Sequence, residues 1–145
     1  MVRAVEQGLD KMFEKYPHLL LDRWYYPSDL IYEPVVHHQQ SALAPLVRVI
    51  ERRMLALDFL VVYVTADLDE LLKRYDREGD PDFPRAHYRE ILAGYEEWTW
   101  KSNLPILTVN TTNLTPEQTL RHAADMIAQY RVRSLLKNLR RESKA

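Results

Sequence analysis

Two adjacent charged residues, Asp22 and Arg23, end a short apolar run and are the side chains of this chain best placed to do chemistry. Residues 18–22, His-Leu-Leu-Leu-Asp, read as a buried strand, and open α/β sheets bind ligands beyond the carboxyl ends of such strands. An arginine there can hold a phosphate with its planar fork. The alternative is an ion pair and a helix cap at a strand-to-helix turn. We favour a functional role, because charges beside a buried strand are costly unless they are paired or used.

A second group of charged residues runs off the end of a predicted helix into the proline-rich segment 78–84. It includes Lys73, Arg74 and Arg77. Arginines on a mobile loop suit phosphoryl transfer, because the charge on the transferred group must be neutralised while water is excluded. The alternative is a solvated basic helix end, which this segment favours when it is considered alone.

The third polar segment, Asn-Thr-Thr-Asn at 110–113, follows the last predicted strand. Its position predicts that it shares a sheet edge with Asp22, where it could hydrogen-bond a purine or form only a turn. Adjacent histidines, His37 and His38, point to different sides of a helix and have no further ligands at metal-binding spacing. We therefore expect no metal site built from these side chains.

The elements that must position these residues are three continuous apolar runs, at 18–22, 59–65 and 105–109, which predict strands covered on both faces. Apolar residues spaced three and four apart predict helices between and after these strands. Thr115 with Pro116 and Gln118 predicts a capped helix start, and Asp67 with Glu70 predicts another. The order of strands and helices predicts an α/β fold, a parallel sheet flanked by helices with right-handed crossovers.

Composition places the chain among ordinary globular proteins, with 145 residues, 28% charged residues and a formal net charge of -1. No apolar run reaches the roughly 20 residues that span a bilayer, and no signal segment is recognisable at the start. We therefore expect a cytoplasmic protein without a membrane partner. Residues 131–145 are basic, but they lack interleaved aromatic residues, so we interpret them as a basic helical tail and not as a nucleic-acid site.

In the order of its motifs, the chain resembles the nucleoside and nucleotide kinases of the P-loop class, especially the thymidylate and deoxynucleoside kinases. Residues 22–32 are similar to their Asp/Glu-Arg motif and the helix that follows it. Residues 69–79 are similar to the helix leading into the lid, and residues 88–98 to the helix after it. The resemblance covers about residues 9–129 and implies a three-layer architecture and an ATP-dependent kinase. Its acceptor would be a deoxynucleoside monophosphate or a deoxynucleoside.

The resemblance also implies roles for single residues. Asp22 would lie near the Mg²⁺ ion and the transferred phosphate, and Arg23 would contact the acceptor. Arg74 and Arg77 would lie on the lid over the ATP phosphates. The residues implied in substrate binding are Arg23, Trp24, Tyr26, Asp29 and Tyr32, and those implied beside the adenine are Asn110 and Thr111. An aromatic residue at position 24 favours a nucleotide kinase over a nucleoside kinase.

The chain departs from this family at the phosphate-binding loop. The motif Gly-x-x-x-x-Gly-Lys-Ser/Thr is absent, and Gly8 is the one glycine before Asp22. We consider three explanations: the C-terminal part of a longer kinase, a subunit whose P-loop half is another chain, or a truncated relative that serves as an interaction or scaffold subunit. We favour the first two, with residues 1–130 as a partial kinase-like domain that lacks the first strand. An open sheet edge would also favour association, including a homodimer.

Overall fold

The structure is a computed structural model that describes residues 11, 15, 20–21, 25–78 and 85–142. Within these residues the chain is an α/β protein and is mostly helical. Its α-helices are α1 (Tyr25–Val36), α2 (Val47–Ala56), α3 (Leu68–Glu78), α4 (Tyr88–Lys101) and α5 (Pro116–Glu142). Its strands are β1 (Val61–Thr65) and β2 (Ile106–Asn110), and short 3-10 helices cover Ala44–Leu46 and Arg85–His87.

The two strands pair in parallel, with Val61 opposite Ile106 and Thr65 opposite Asn110. This confirms the strands predicted at 59–65 and 105–109, together with their direction. The strand predicted at 18–22 lies mostly outside the described residues, and the two that are described, Leu20 and Leu21, belong to no strand. Leu20 is 94% exposed, which does not fit a covered strand. The described residues therefore form a two-stranded sheet, which is smaller than the P-loop kinase sheet that the sequence predicted.

The chain divides into two compact units, residues 1–59 with 68–105 and residues 60–67 with 106–145. The first unit has a helical core in which α1 packs against α4 and α3 contacts α4. Its buried apolar side chains are Tyr26, Ile31, Leu43, Ile50, Met54, Ile91, Trp98 and Leu104. Among them, Ile50 and Met54 on α2 and Ile91 and Trp98 on α4 belong to the spacing of three and four that predicted these two helices.

Pro34 lies inside α1 and does not end it. The helix continues to Val36, and two N–H groups beyond it donate to its last turn: that of His37 to the Tyr32 carbonyl at 3.4 Å, and that of Gln39 to the Glu33 carbonyl at 2.9 Å. His38 then adopts a left-handed backbone conformation with φ of 54° and turns the chain away.

The second unit contains the sheet and α5, which contacts β2. The predicted cap at the start of α5 is confirmed: the Thr115 N–H donates to Gln118 Oε1 at 2.8 Å, and the Gln118 N–H donates to Thr115 Oγ1 at 3.2 Å. Pro116 occupies the first helical position. The helix then runs without a break past residue 130 to Glu142. No helix in the described part of the chain is long and apolar enough to cross a membrane.

Candidate functional site

Polar side chains of the second unit meet where the two parallel strands end. Asn110 Nδ2 donates to Asp67 Oδ1 at 3.0 Å, and the backbone N–H of Asp67 donates to Thr112 Oγ1 at 2.7 Å. The Thr112 N–H in turn donates to Asn110 Oδ1 at 2.9 Å. We call Asp67, Asn110, Thr111 and Thr112 the carboxyl-edge cluster. It lies at the end of a parallel sheet where α/β proteins bind ligands.

The resemblance to the kinases places Asn110 and Thr111 beside an adenine, but these two residues differ in exposure. Thr111 is buried, and both its N–H and its hydroxyl donate to the Thr65 carbonyl, at 2.7 and 2.9 Å. Its side chain therefore packs at the end of the sheet and bonds the backbone there. Asn110 and Asp67 are exposed, so their amide and carboxylate lie at the surface. These groups can exchange hydrogen bonds with the N–H and carbonyl groups of a ligand.

The arginines that the sequence assigned to a lid lie on α3, in the first unit. Arg74 Nε donates to Glu70 Oε1 at 2.9 Å, and Arg77 is exposed one turn later. Arg74 and Arg77 lie three positions apart on α3, so they occupy neighbouring positions on one side of this helix. Residues 79–84, into which this helix leads, lie outside the described residues.

Two contacts hold the end of α3 to the 3-10 helix Arg85–His87 and to the start of α4. Arg85 donates to both carboxylate oxygens of Asp76, at 2.8 and 3.1 Å, and the rings of Tyr75 and Tyr88 meet edge to face with centroids 5.4 Å apart. The hydrogen bonds from Arg85 hold the pKa of Asp76 below its ordinary value. This fork-to-carboxylate geometry is the specific form of an arginine ion pair. It ties together the two helices that the sequence placed on either side of a lid.

On α1, Tyr26 is buried and its hydroxyl donates to Glu51 Oε1 at 2.9 Å. The same hydroxyl accepts from the Trp98 indole N–H at 3.4 Å. Burial is the main cause that raises the pKa of Tyr26, and the neighbouring Glu51 carboxylate adds to the rise. Tyr26 therefore joins α1 to α2 and α4 by its ring and its hydroxyl.

Glu51 is a buried carboxylate that the sequence analysis missed. Besides the Tyr26 hydroxyl, it accepts from Ser102 Oγ at 2.6 Å, from the Asn103 N–H at 3.1 Å and from Asn103 Nδ2 at 3.0 Å. Burial would raise the pKa of Glu51, but these hydrogen bonds outweigh burial and lower it. A signal was present, because residue 51 lies four positions after Val47 and three before Met54, on the apolar side of a helix.

Asp29, which the resemblance also implies in substrate binding, is buried on α1 as well. It accepts a hydrogen bond from Ser41 Oγ, and that hydroxyl accepts from the Leu43 N–H at 3.1 Å. Ser41 also lies at the edge of an open depression of about 500 Å³. The remaining lining residues are Gln40, Ala42, Ala44 and Pro45. Asp29 thus fixes the chain that follows α1.

The structure brings Tyr26, Asp29 and Tyr32 together on one helix, where Tyr32 is half-buried. Asp22, Arg23 and Trp24, the motif that carries the family resemblance, lie outside the described residues. The described side chains include no group of three or more that could hold a metal ion. Comparison of the chain with family models, curated proteins and solved structures gives no match.

Proposed function

We propose that this chain supplies the acceptor-side and lid-side residues of an ATP-dependent kinase for a deoxynucleoside monophosphate or a deoxynucleoside. The observation that carries the proposal is the parallel pair β1 and β2, whose carboxyl ends present the polar residues Asp67 and Asn110 at the surface. Parallel strands with helices between them bind ligands at this edge. The resemblance of residues 22–32 and 69–79 to the kinase motifs supports the same assignment.

In this proposal each group has a physical task. With a monophosphate acceptor, Arg23 would hold the acceptor phosphate, and with a deoxynucleoside acceptor, Asp22 would receive the proton of the attacking hydroxyl. With either acceptor, Asp22 could help to hold Mg²⁺. Arg74 and Arg77 neutralise the charge on the oxygens of the transferred phosphoryl group. Asn110 would hydrogen-bond the adenine base of ATP. ATP, bound together with Mg²⁺, would supply the phosphoryl group.

The phosphate-binding loop of such a kinase is not among the 145 residues, because they contain no Gly-x-x-x-x-Gly-Lys-Ser/Thr motif. In this proposal it is supplied by another segment of a longer protein or by a second polypeptide. The three-layer architecture of the P-loop kinases would be complete only in that assembly.

A second function, a non-catalytic interaction or scaffold subunit, is favoured by one observation. Tyr26 and Asp29, which the resemblance places at the substrate, are both buried, in hydrogen bonds to Glu51 and Ser41. In this function Tyr26 and Asp29 serve only to hold the helical unit together.

Nucleotide binding to the full chain, measured by isothermal titration calorimetry, separates the two functions. We expect a kinase subunit to bind dTMP or another deoxynucleoside monophosphate, and Arg23→Ala to weaken this binding at least about tenfold, because a charged hydrogen bond to phosphate is lost. The matched control is Arg52→Ala, which removes an exposed arginine of α2 and should leave binding unchanged.

Equal affinity of Arg23→Ala and the unaltered chain would contradict the assignment of Arg23. A chain that binds no deoxynucleoside monophosphate and no ATP with Mg²⁺ would contradict the kinase proposal and leave the scaffold function.

A further inference from the structure

The last part of the long helix α5 is exposed on nearly every side. From residue 131 onward, Ser134 is half-buried, and every other residue whose burial the structure describes is exposed. Four of the exposed residues are large and apolar, with 50–63% of each in solvent: Val132, Leu135, Leu136 and Leu139. We call these four residues the C-terminal stripe. Their exposed surface is apolar area that a partner could remove from water.

The stripe lies on one side of the helix and is bordered by cations. Residues 132, 135, 136 and 139 fall within an arc of about 100°, because successive residues of an α-helix are rotated by about 100°. Arg131 and Arg133 lie about 90° and about 110° from the middle of this arc, on its two flanks. Lys137 lies about 150° from the middle, close to the opposite side of the helix. The basic residues thus begin at the flanks of the stripe and continue around the helix.

The segment that carries the stripe is strongly basic. Residues 131–145 hold six of the 20 basic residues and one of the 21 acidic residues. No acidic residue lies between Asp125 and Glu142, and Asp125 is about 10 Å along the helix from Val132. Charges farther away than the Debye length, about 8 Å at physiological salt, act on the stripe only weakly. The field around the stripe is therefore set mainly by its own cations.

We propose that the C-terminal stripe binds the surface of an anionic phospholipid bilayer, with the last part of α5 lying in the plane of that surface. The three leucines and Val132 enter the boundary between headgroups and acyl chains, which removes their apolar surface from water. Arg131 and Arg133, on the flanks, reach the headgroup phosphates with their guanidinium groups. The expectation of no membrane partner rested on the lack of a spanning run, which a helix lying on the surface does not need.

The distribution of charge favours a lipid surface over a groove on a protein. A groove that receives the stripe contacts the apolar side of the helix and leaves Lys137, on the far side, outside the contact. The field of anionic headgroups extends over about one Debye length, which is comparable with the diameter of a helix, about 10–12 Å, so it also attracts Lys137. The stripe further contains no tryptophan or tyrosine, the residues that are enriched at the centres of protein interfaces.

A second copy of the chain fits the stripe less well. Packing stripe against stripe brings two basic segments side by side, whichever way the two helices run, and like charges at this range repel. An anionic bilayer instead offers apolar depth and opposite charge at the same place. Both properties of the segment are then used together.

Co-sedimentation of the full chain with phospholipid vesicles tests the proposal. One set of vesicles contains phosphatidylcholine alone, and the other contains phosphatidylcholine with roughly 30% phosphatidylserine, which gives a negative surface. We expect binding to the anionic vesicles and little binding to phosphatidylcholine alone. Binding to the anionic vesicles should weaken as salt rises, because salt screens the attraction.

Two variants separate the apolar and the charged contributions. Leu135→Gln should lower the affinity for anionic vesicles roughly tenfold, because a leucine is no longer removed from water. Its matched control is Leu120→Gln, at a leucine of the same helix that is 73% exposed and lies outside the stripe. Arg131→Gln with Arg133→Gln should also lower this affinity roughly tenfold or more. Its control is Arg48→Gln with Arg52→Gln, which removes the same charge from exposed positions of α2.

Circular dichroism without lipid should show the same helix content in all of these variants, so that a loss of binding is not a loss of folding. The proposal is overturned by a chain that does not bind anionic vesicles, by equal affinity for the two kinds of vesicle, or by stripe variants that bind as tightly as their controls. Sedimentation equilibrium without lipid tests the competing occupant. A dimer that Leu135→Gln dissociates and Leu120→Gln does not would assign the stripe to a second copy and would also overturn the proposal.

Discussion

Among the single side chains, Glu51 does most to connect elements that are distant in the sequence. Its two carboxylate oxygens accept from α1 through Tyr26 and from the segment after α4 through Ser102 and Asn103. A buried carboxylate is costly unless donors surround it, and here each oxygen has two. The residue is therefore better explained as a structural centre of the helical unit than as a catalytic acid.

Replacing Glu51 with Gln should lower the free energy of unfolding by about 1 kcal/mol, because the hydrogen bonds that Asn103 donates to a carboxylate become weaker bonds to a neutral amide oxygen, while the hydroxyls of Tyr26 and Ser102 can turn to accept from the NH₂ group. Urea unfolding followed by circular dichroism measures the change. The control is Glu96→Gln at an exposed site, which should stay within about 0.5 kcal/mol of the unaltered protein. If both variants were equally stable, the negative charge of Glu51 would contribute nothing to folding.

Among the helices, the contact between α1 and α4 depends on the absence of a side chain at Gly94. A Cβ atom there would lie 2.8 Å from Ile31 Cγ2, closer than real contacts allow. Ile31 is buried, and its Cγ2 is attached directly to Cβ, so the isoleucine cannot move this atom away without changing its rotamer. The glycine thus sets how closely the two helices approach.

Gly94→Ala should lower the free energy of unfolding by about 1 kcal/mol. Overpacking costs about 1–3 kcal/mol, and the better helix propensity of alanine returns about 1 kcal/mol. The matched test adds the same change to an Ile31→Ala variant, where the clash is absent and alanine at 94 should stabilise the protein. An increase in stability on Gly94→Ala alone would show that the helices are not in close contact.

For the chain as a whole, acid sensitivity follows from carboxyl groups whose pKa is lowered in the folded state. These are Glu51, Asp76 and Glu117. A group whose folded pKa lies below its unfolded value stabilises the protein fully above the unfolded pKa, which is 4.5 for Glu51. This contribution is lost as the pH falls through the lower, folded pKa. Stability should therefore decline below about pH 4.5.

Glu51→Gln should reduce this decline, because it removes one of the responsible groups. The free energy of unfolding, measured by urea at steps from about pH 6 to about pH 3, should fall less steeply in the variant than in the unaltered protein. Parallel curves for the two proteins would mean that Glu51 has the same pKa in the folded and unfolded states.

Prediction from the sequence succeeded where the signal was local and periodic. The apolar runs at 59–65 and 105–109 and the cap at Thr115 correspond to observed elements, since short-range patterns determine strands and caps. The assignment of Asp22, Arg23 and Trp24 remains a prediction, because these residues lie outside the described part of the chain.

The sequence by itself determined which segments become helices and strands and which side chains are available for chemistry, because those properties depend on neighbours within a few residues. Only the tertiary structure decided how the side chains are used. It buried Tyr26 and Asp29 in hydrogen bonds with Glu51 and Ser41, turned the Thr111 hydroxyl to a backbone carbonyl and left Trp100 in solvent. Burial and hydrogen bonding depend on partners tens of residues away, and no local pattern reports those partners.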